Sequence, residues 1–297
     1  MRLGFKELES KPIQTGHGEV LELYPYESQQ TFLPSQPVDL QSAAPKPQPL
    51  AGIGMEQKVM TTKDKSNTIK KKARVAGFLY LLLVPFSIFG FFYVPSNLVV
   101  AGDVGATAIN IVASEGLFRA GIVSWLIGQA IFIVLVVALY NLLKPINNTH
   151  ASIMVAFALV GVPIAFITEL TQFGALLLLS SAGYLAAFED DQLHAQVKLF
   201  LDLHEHGIFI AQIFWGLWLF PFGYLVFKSG FLPRILGILL MIGCFGYLID
   251  TLAFFLFPDF DTAVAPFTSI GEFLFPLWLV FKGIDVEQWE KRALESA

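Results

Sequence analysis

Six stretches of this sequence are each long and apolar enough to cross a lipid bilayer, and they constrain the fold more than any other feature. They are roughly Val75–Val94, Phe118–Leu143, Ser152–Ser180, Gly207–Phe227, Ile235–Phe257 and Val264–Phe281. A helix crossing the ~30 Å hydrocarbon core takes about 20 residues. Backbone N–H and C=O groups find no water there, so a spanning stretch satisfies them internally as a helix. The strict alternation of a membrane β-strand is absent, which argues against an outer-membrane barrel. Composition agrees: 14% of residues are charged, where a soluble chain carries about 25%. The expected fold class is all-α: a polytopic membrane protein with six transmembrane helices in a bundle, a short extracytoplasmic helix between spans one and two, and a disordered N-terminal tail.

Basic residues orient the bundle. "TIKKKAR" (Thr68–Arg74) precedes the first span and Lys144 follows the second. Lys228 and Arg234 flank the turn between the fourth and fifth, and Lys282, Lys291 and Arg292 follow the sixth. With six alternating helices all of these share one side, and the other side receives mostly acids. The positive-inside rule then places both termini in the cytoplasm. A net charge of −5 without a basic stripe carries no nucleic-acid signature. The single cysteine, Cys244, excludes an internal disulfide. No cleavable signal segment is read ahead of the first span.

Three regions follow. Residues 1–66 are Pro-containing, lack a periodic apolar face and read as a disordered cytoplasmic extension. Residues 67–283 form the membrane domain, and 284–297 a short cytoplasmic tail with room for a turn or two of interfacial helix. Met55 and Met60 fall late in the extension, so an internal translation start is one reading of it; an N-terminal peptide from residues 1–50 in mass spectra would refute that start. Arg74-x-x-Gly77-x-Leu79 and Arg234-x-x-Gly237-x-Leu239 echo each other at two basic helix mouths, a pattern that ordinary helix packing also produces.

Several motifs in order, "ARVAGFLYLL" (Ala73–Leu82), "GDVGATAINIVASEGLFRAGI" (Gly102–Ile122), "GYLAAF" (Gly183–Phe188), "FGYLVFKSGFLPRILGILL" (Phe222–Leu240) and "GYLID" (Gly246–Asp250), resemble the bacterial membrane family known as domain of unknown function 4386. The resemblance covers roughly residues 70–283. It implies a multi-pass protein of the bacterial inner (plasma) membrane and implies no activity. Its pattern matches Leu203, His204 and Gly207, and does not match His206.

Ionisable groups inside spans are costly, about 2.5–3.5 kcal/mol each on insertion scales, so each is a functional candidate. Glu169, Asp250 and Glu272 qualify. Asp202, His204, Glu205 and His206 stand at the expected outer mouth of the fourth span, and Arg119 at that of the second, as the counter-charge for one of the acids. The loop from Asp103 to Glu115 reads as a helix capped by Asp103, with Thr107 and Asn110 on one face. All strongly polar candidates therefore fall in the outer half or the midplane. They define an expected outward-facing pocket lined by Arg119, Glu169, Asp202, His204, Asp250, Glu272, Thr107 and Asn110.

The chemistry stays open at this level. Asp202 and His206 are i, i+4 partners, whereas His204 points about 160° away from His206, so one ion cannot use both histidines. No metal site is assigned; His204 and Asp202 are the residues a divalent cation would draw on, and nothing matches the H-E-x-x-H pattern. No cofactor is indicated. A buried acid either hydrogen-bonds between helices or exchanges a proton or cation. Nucleophilic catalysis finds little support, since Cys244 has no paired base in its helix and no G-x-S-x-G elbow occurs. Three functions remain: a small-solute, proton or cation binding and transport-like protein; a sensor or accessory subunit with structural acids; and an intramembrane enzyme using metal or acid–base chemistry. The lipid bilayer is the one certain partner, and oligomeric assembly is left open.

Overall fold

The computed structural model describes residues 62–180, 188–257 and 263–296. The proline-rich extension up to residue 61 lies outside the described residues. Ten α-helices appear among those described: α1 (Thr62–Ser87), α2 (Val94–Leu98), α3 (Val104–Ala113), α4 (Glu115–Leu143), α5 (Asn148–Leu178), α6 (Asp190–Ser229), α7 (Arg234–Leu256), α8 (Ala265–Thr268), α9 (Ile270–Phe281) and α10 (Val286–Glu295). A π-helical segment, Ile88–Tyr93, joins α1 to α2 without a break, so the first span is one rod of 33 residues from Ser66 to Leu98.

Five helices meet the length and apolarity of a membrane span. A sixth candidate is α8–α9, Ala265–Phe281, which reaches that length and apolarity only together with α10, into which the chain bends by 105°. At ~1.5 Å per residue its seventeen residues rise ~25 Å, the lower limit for a crossing. Large apolar side chains such as Phe78, Ile167, Leu252 and Phe281 are exposed. Surface of that kind is stable only against lipid.

The expected boundaries move in two places. The fourth span does not begin near Gly207: α6 starts at Asp190 and runs unbroken for 40 residues, ~60 Å. Glu189 and Gln192 close it with a reciprocal capping box. Asp202–His206 therefore lie well inside a helix and not at its frayed mouth. The third span starts at Asn148, where Asn147 accepts the backbone N–H of His150, and continues through Pro163 to Leu178.

The spans pack as a closed ring. α1 lies against α4, α4 against α5, α5 against α6, α6 against α7, α7 against α9, and α9 against α1. Its interior is filled by an aromatic plug of Tyr80, Phe132, Trp218, Phe222 and Phe275, whose neighbouring ring centroids lie 4.8–6.4 Å apart. Trp218, Phe222 and Phe275 are almost fully buried, so each contributes its full apolar area to holding the ring closed.

Lys228, Arg234 and Arg292 gather at one end of the ring, beside α10. There α10 folds back under the ring. The indole N–H of Trp289 donates to the Leu142 carbonyl (2.8 Å) and the Asp285 N–H to the Phe231 carbonyl (3.2 Å). Gly230, at φ 78°, ends α6, and Pro233 caps α7. At the opposite, acidic end α3 packs on α6. Its N-terminus is capped by Asp103, whose carboxylate accepts the Ala106 N–H.

Candidate functional site

Glu169 and His204 come together between α5 and α6. His204 Nε2 lies 3.1 Å from Glu169 Oε1 and 2.8 Å from Gln172 Nε2. Glu169 is 2% exposed, and its second oxygen, Oε2, is buried with no hydrogen-bond partner among the described residues. Gly207 sets the approach: a Cβ at that position would collide with the Thr168 side chain, so only glycine lets α6 close on α5 here. Glu169 and Gln172 are i, i+3 on α5 and share a face.

Nε2 presents either one lone pair or one N–H, so it serves Gln172 or Glu169 but not both at once, and the Gln172 amide turns end for end to match.

Glu272 occupies a second buried site, inside the ring. The Tyr80 and Tyr247 hydroxyls donate to its Oε2 and Oε1, each at 2.9 Å. Three elements, α1, α7 and α9, thus meet on one carboxyl group. Among the described residues no Lys, Arg or His forms an ion pair with it.

Between these sites lie further interior polar groups. Gln212 donates to the Tyr247 carbonyl (3.2 Å) and Thr251 Oγ1 (3.3 Å). Trp125 Nε1 and Gln129 Oε1, one turn apart on α4, are buried without partners among the described residues. Height can be counted along each helix from its basic end at ~1.5 Å per residue. His204 then stands at ~38 Å, Glu169 at ~32 Å, Gln212 at ~26 Å, Gln129 at ~21 Å, Tyr247 at ~20 Å and Glu272 at ~14 Å. Counted the same way, Phe275, Phe222, Phe132 and Trp218 of the aromatic plug stand at ~9–17 Å and Tyr80 at ~21 Å. Polar groups thus descend from the acidic end to the level of the packed rings, where Tyr80 binds Glu272.

The other expected pocket residues take separate places. Arg119 pairs with Glu115 on its own helix at 2.6 Å, both exposed, and is not the counter-charge of an intramembrane acid. Asp202 pairs with Lys198 at 2.7 Å, and His206 Nδ1 lies 2.7 Å from the Asp202 backbone carbonyl, not its carboxylate. Thr107 accepts the Val100 N–H, and Asn110 donates to the Leu98 carbonyl, so they fasten α3 to the preceding loop and to the end of α2. Asp250 binds the chain: its two oxygens accept the Val264 and Ala265 N–H groups, each at 2.8 Å. No three His, Cys, Asp or Glu converge as metal ligands among the described residues. The reading from sequence missed Tyr80, Tyr247 and Gln172. Two phenols in apolar runs and a glutamine three residues after Glu169 were the available signals.

Asp250 holds the entry to α8, so Asp250→Asn, which turns one acceptor into a donor facing an N–H, is expected to lower stability by about 2 kcal/mol. A drop in the unfolding midpoint in detergent, with the Glu169 and Glu272 sites working as before, checks it.

A closed helical ring with lipid-facing apolar surface and buried acids defines the class: a multi-pass membrane protein with ionisable groups inside its bundle. The chain belongs to the family described as Domain of unknown function (DUF4386), whose model matches residues 75–283. It is also 35% identical over 147 residues to an uncharacterized protein of Archaeoglobus fulgidus, an alignment covering 50% of this chain and 74% of that one. No solved structure matches significantly.

Proposed function

We propose that this is a proton-handling, transport-like membrane protein, in which Glu169 and His204 take up a proton at the acidic end and Glu272 holds one at the middle of the bundle. The supporting observation is the Glu169–His204–Gln172 cluster, where a buried carboxyl with an unpartnered oxygen faces an imidazole that reaches the surface with a fifth of its side chain exposed. Desolvated ionisable groups inside spans are retained where they bind or relay charge. Gln212, Trp125 and Gln129 offer polar groups at heights between the two acids, and the aromatic plug packs around and below Glu272. The charge distribution favours cytoplasmic termini, with the polar half facing outward; side-specific labelling of Lys291→Cys in a Cys244→Ser background checks that orientation.

Proton uptake in proteoliposomes carrying a trapped pH-sensitive dye tests the function. Reconstituted wild-type protein is expected to dissipate an imposed proton gradient, alone or with a co-transported solute. Glu169→Gln and His204→Gln are each expected to slow it at least tenfold with the fold intact. If both variants change thermal stability alone and leave flux untouched, the acids are structural glue and the protein is an accessory or sensing subunit.

A further inference from the structure

At the basic end the α6–α7 turn and the distant α10 converge on one cavity. Its volume is about 280 Å³, and its lining consists of Phe227, Lys228, Gly230, Arg234 and Arg292. Three of the five lining residues are cations and none is acidic. Lys228 and Arg234 both sit over the Phe227 ring, at 6.0 and 5.8 Å from its centroid. Neither makes an ion pair among the described residues. Arg292 arrives from α10, where it pairs with Glu295 at 3.2 Å and reaches the Lys228 carbonyl at 3.5 Å.

Holding three cations together is unfavourable by itself, since like charges at this spacing repel. Arg234 opens α7, so the positive end of a 23-residue helix points the same way and adds to the field. The turn leaves Gly230 in the left-handed region, where no side chain fills the space between Lys228 and Arg234. All of this lies at the basic ends of α6 and α7, where their apolar runs give way to charged residues.

We propose that this cavity binds the phosphate of an anionic phospholipid in the leaflet at the basic end. Guanidinium groups match phosphate oxygens with paired N–H donors, and the Lys228 ammonium adds a point charge. Basic pockets between helices at a membrane face take lipid headgroups in this way. At about 280 Å³ the cavity lies below the roughly 300–1,000 Å³ of sites that enclose a whole small ligand, so it takes a headgroup while the acyl chains remain on the bundle surface. Because α10 contributes Arg292, an occupied site ties α10 to the α6–α7 turn.

Titration of the full-length protein, purified in uncharged detergent, tests this by thermal shift. The probes are phosphatidylglycerol, phosphatidylcholine and inorganic phosphate. Phosphatidylglycerol is expected to raise the unfolding midpoint saturably, at concentrations at least tenfold below phosphatidylcholine. Lys228→Gln with Arg234→Gln, two side chains without ion pairs, is expected to weaken that response at least tenfold. Lys144→Gln, at the same end and outside the cavity, is expected to leave it unchanged. Equal potency of the two lipids, or an undiminished response in the double variant, overturns the site. Inorganic phosphate acting as well as phosphatidylglycerol overturns its assignment to lipid.

Discussion

Glu272→Ala is expected to destabilise the protein by about 3 kcal/mol or more, because it strands two buried hydroxyls at once at about 1–3 kcal/mol each. Tyr80 and Tyr247 donate to opposite oxygens of that carboxyl group from α1 and α7. The loss therefore loosens the seam where the ring closes, α9 against α1, as well as the α7–α9 contact. Glu272→Gln keeps one acceptor oxygen and should restore more than half of the lost stability, yet it cannot release a proton. The pair separates two roles in one experiment. Thermal unfolding in detergent reports the first, and proton flux reports the second: the glutamine variant should fold well and carry none. Equal midpoints for wild type and alanine would mean the phenols do not depend on Glu272.

Gly237→Val should be comparably damaging for a different reason. A Cβ at Gly237 would sit 2.5 Å from the Gly223 carbonyl oxygen and 2.5 Å from the Phe227 backbone N, and Gly223 meets Gly237 in the same way. These neighbours are backbone, so no rotamer relieves the overlap and α6 must separate from α7. Overpacking of this kind costs about 1–3 kcal/mol in cores and more where backbone must move. An unfolding midpoint lowered by several degrees and loss of the monodisperse peak on size exclusion would check it. Gly207→Ala, which meets the Thr168 side chain, should cost less globally and act on the Glu169–His204 distance instead.

The spans and the charged ends were legible because lipid imposes one rule on long apolar runs and the basic residues fall consistently at one end. What sequence could not convey is pairing across helices. Glu169 and Asp250 look alike as acids in apolar runs, yet one faces an imidazole and the other caps a turn fourteen residues further on. Arg119 looked like a counter-charge until Glu115, one turn away on its own helix, proved to hold it. The start of α6 was hidden for a related reason: residues 190–206 interleave ten polar residues with seven apolar ones, and a search for long apolar runs passes over such a helix. Tyr80 and Tyr247 gave no signal of their own, because a phenol reveals its donor only when an acceptor is placed beside it.

Buried carboxyl groups in this bundle are expected to exchange protons with the acidic end. Infrared difference spectra of the reconstituted protein, recorded between two bath pH values, read this directly through the carbonyl stretch of protonated carboxylic acids. The expected result is a reversible band at buried-acid frequencies that disappears in Glu169→Gln and is smaller when His204 is replaced by glutamine. A spectrum with no titrating buried-acid band, or one unchanged by Glu169→Gln and Glu272→Gln, would contradict it.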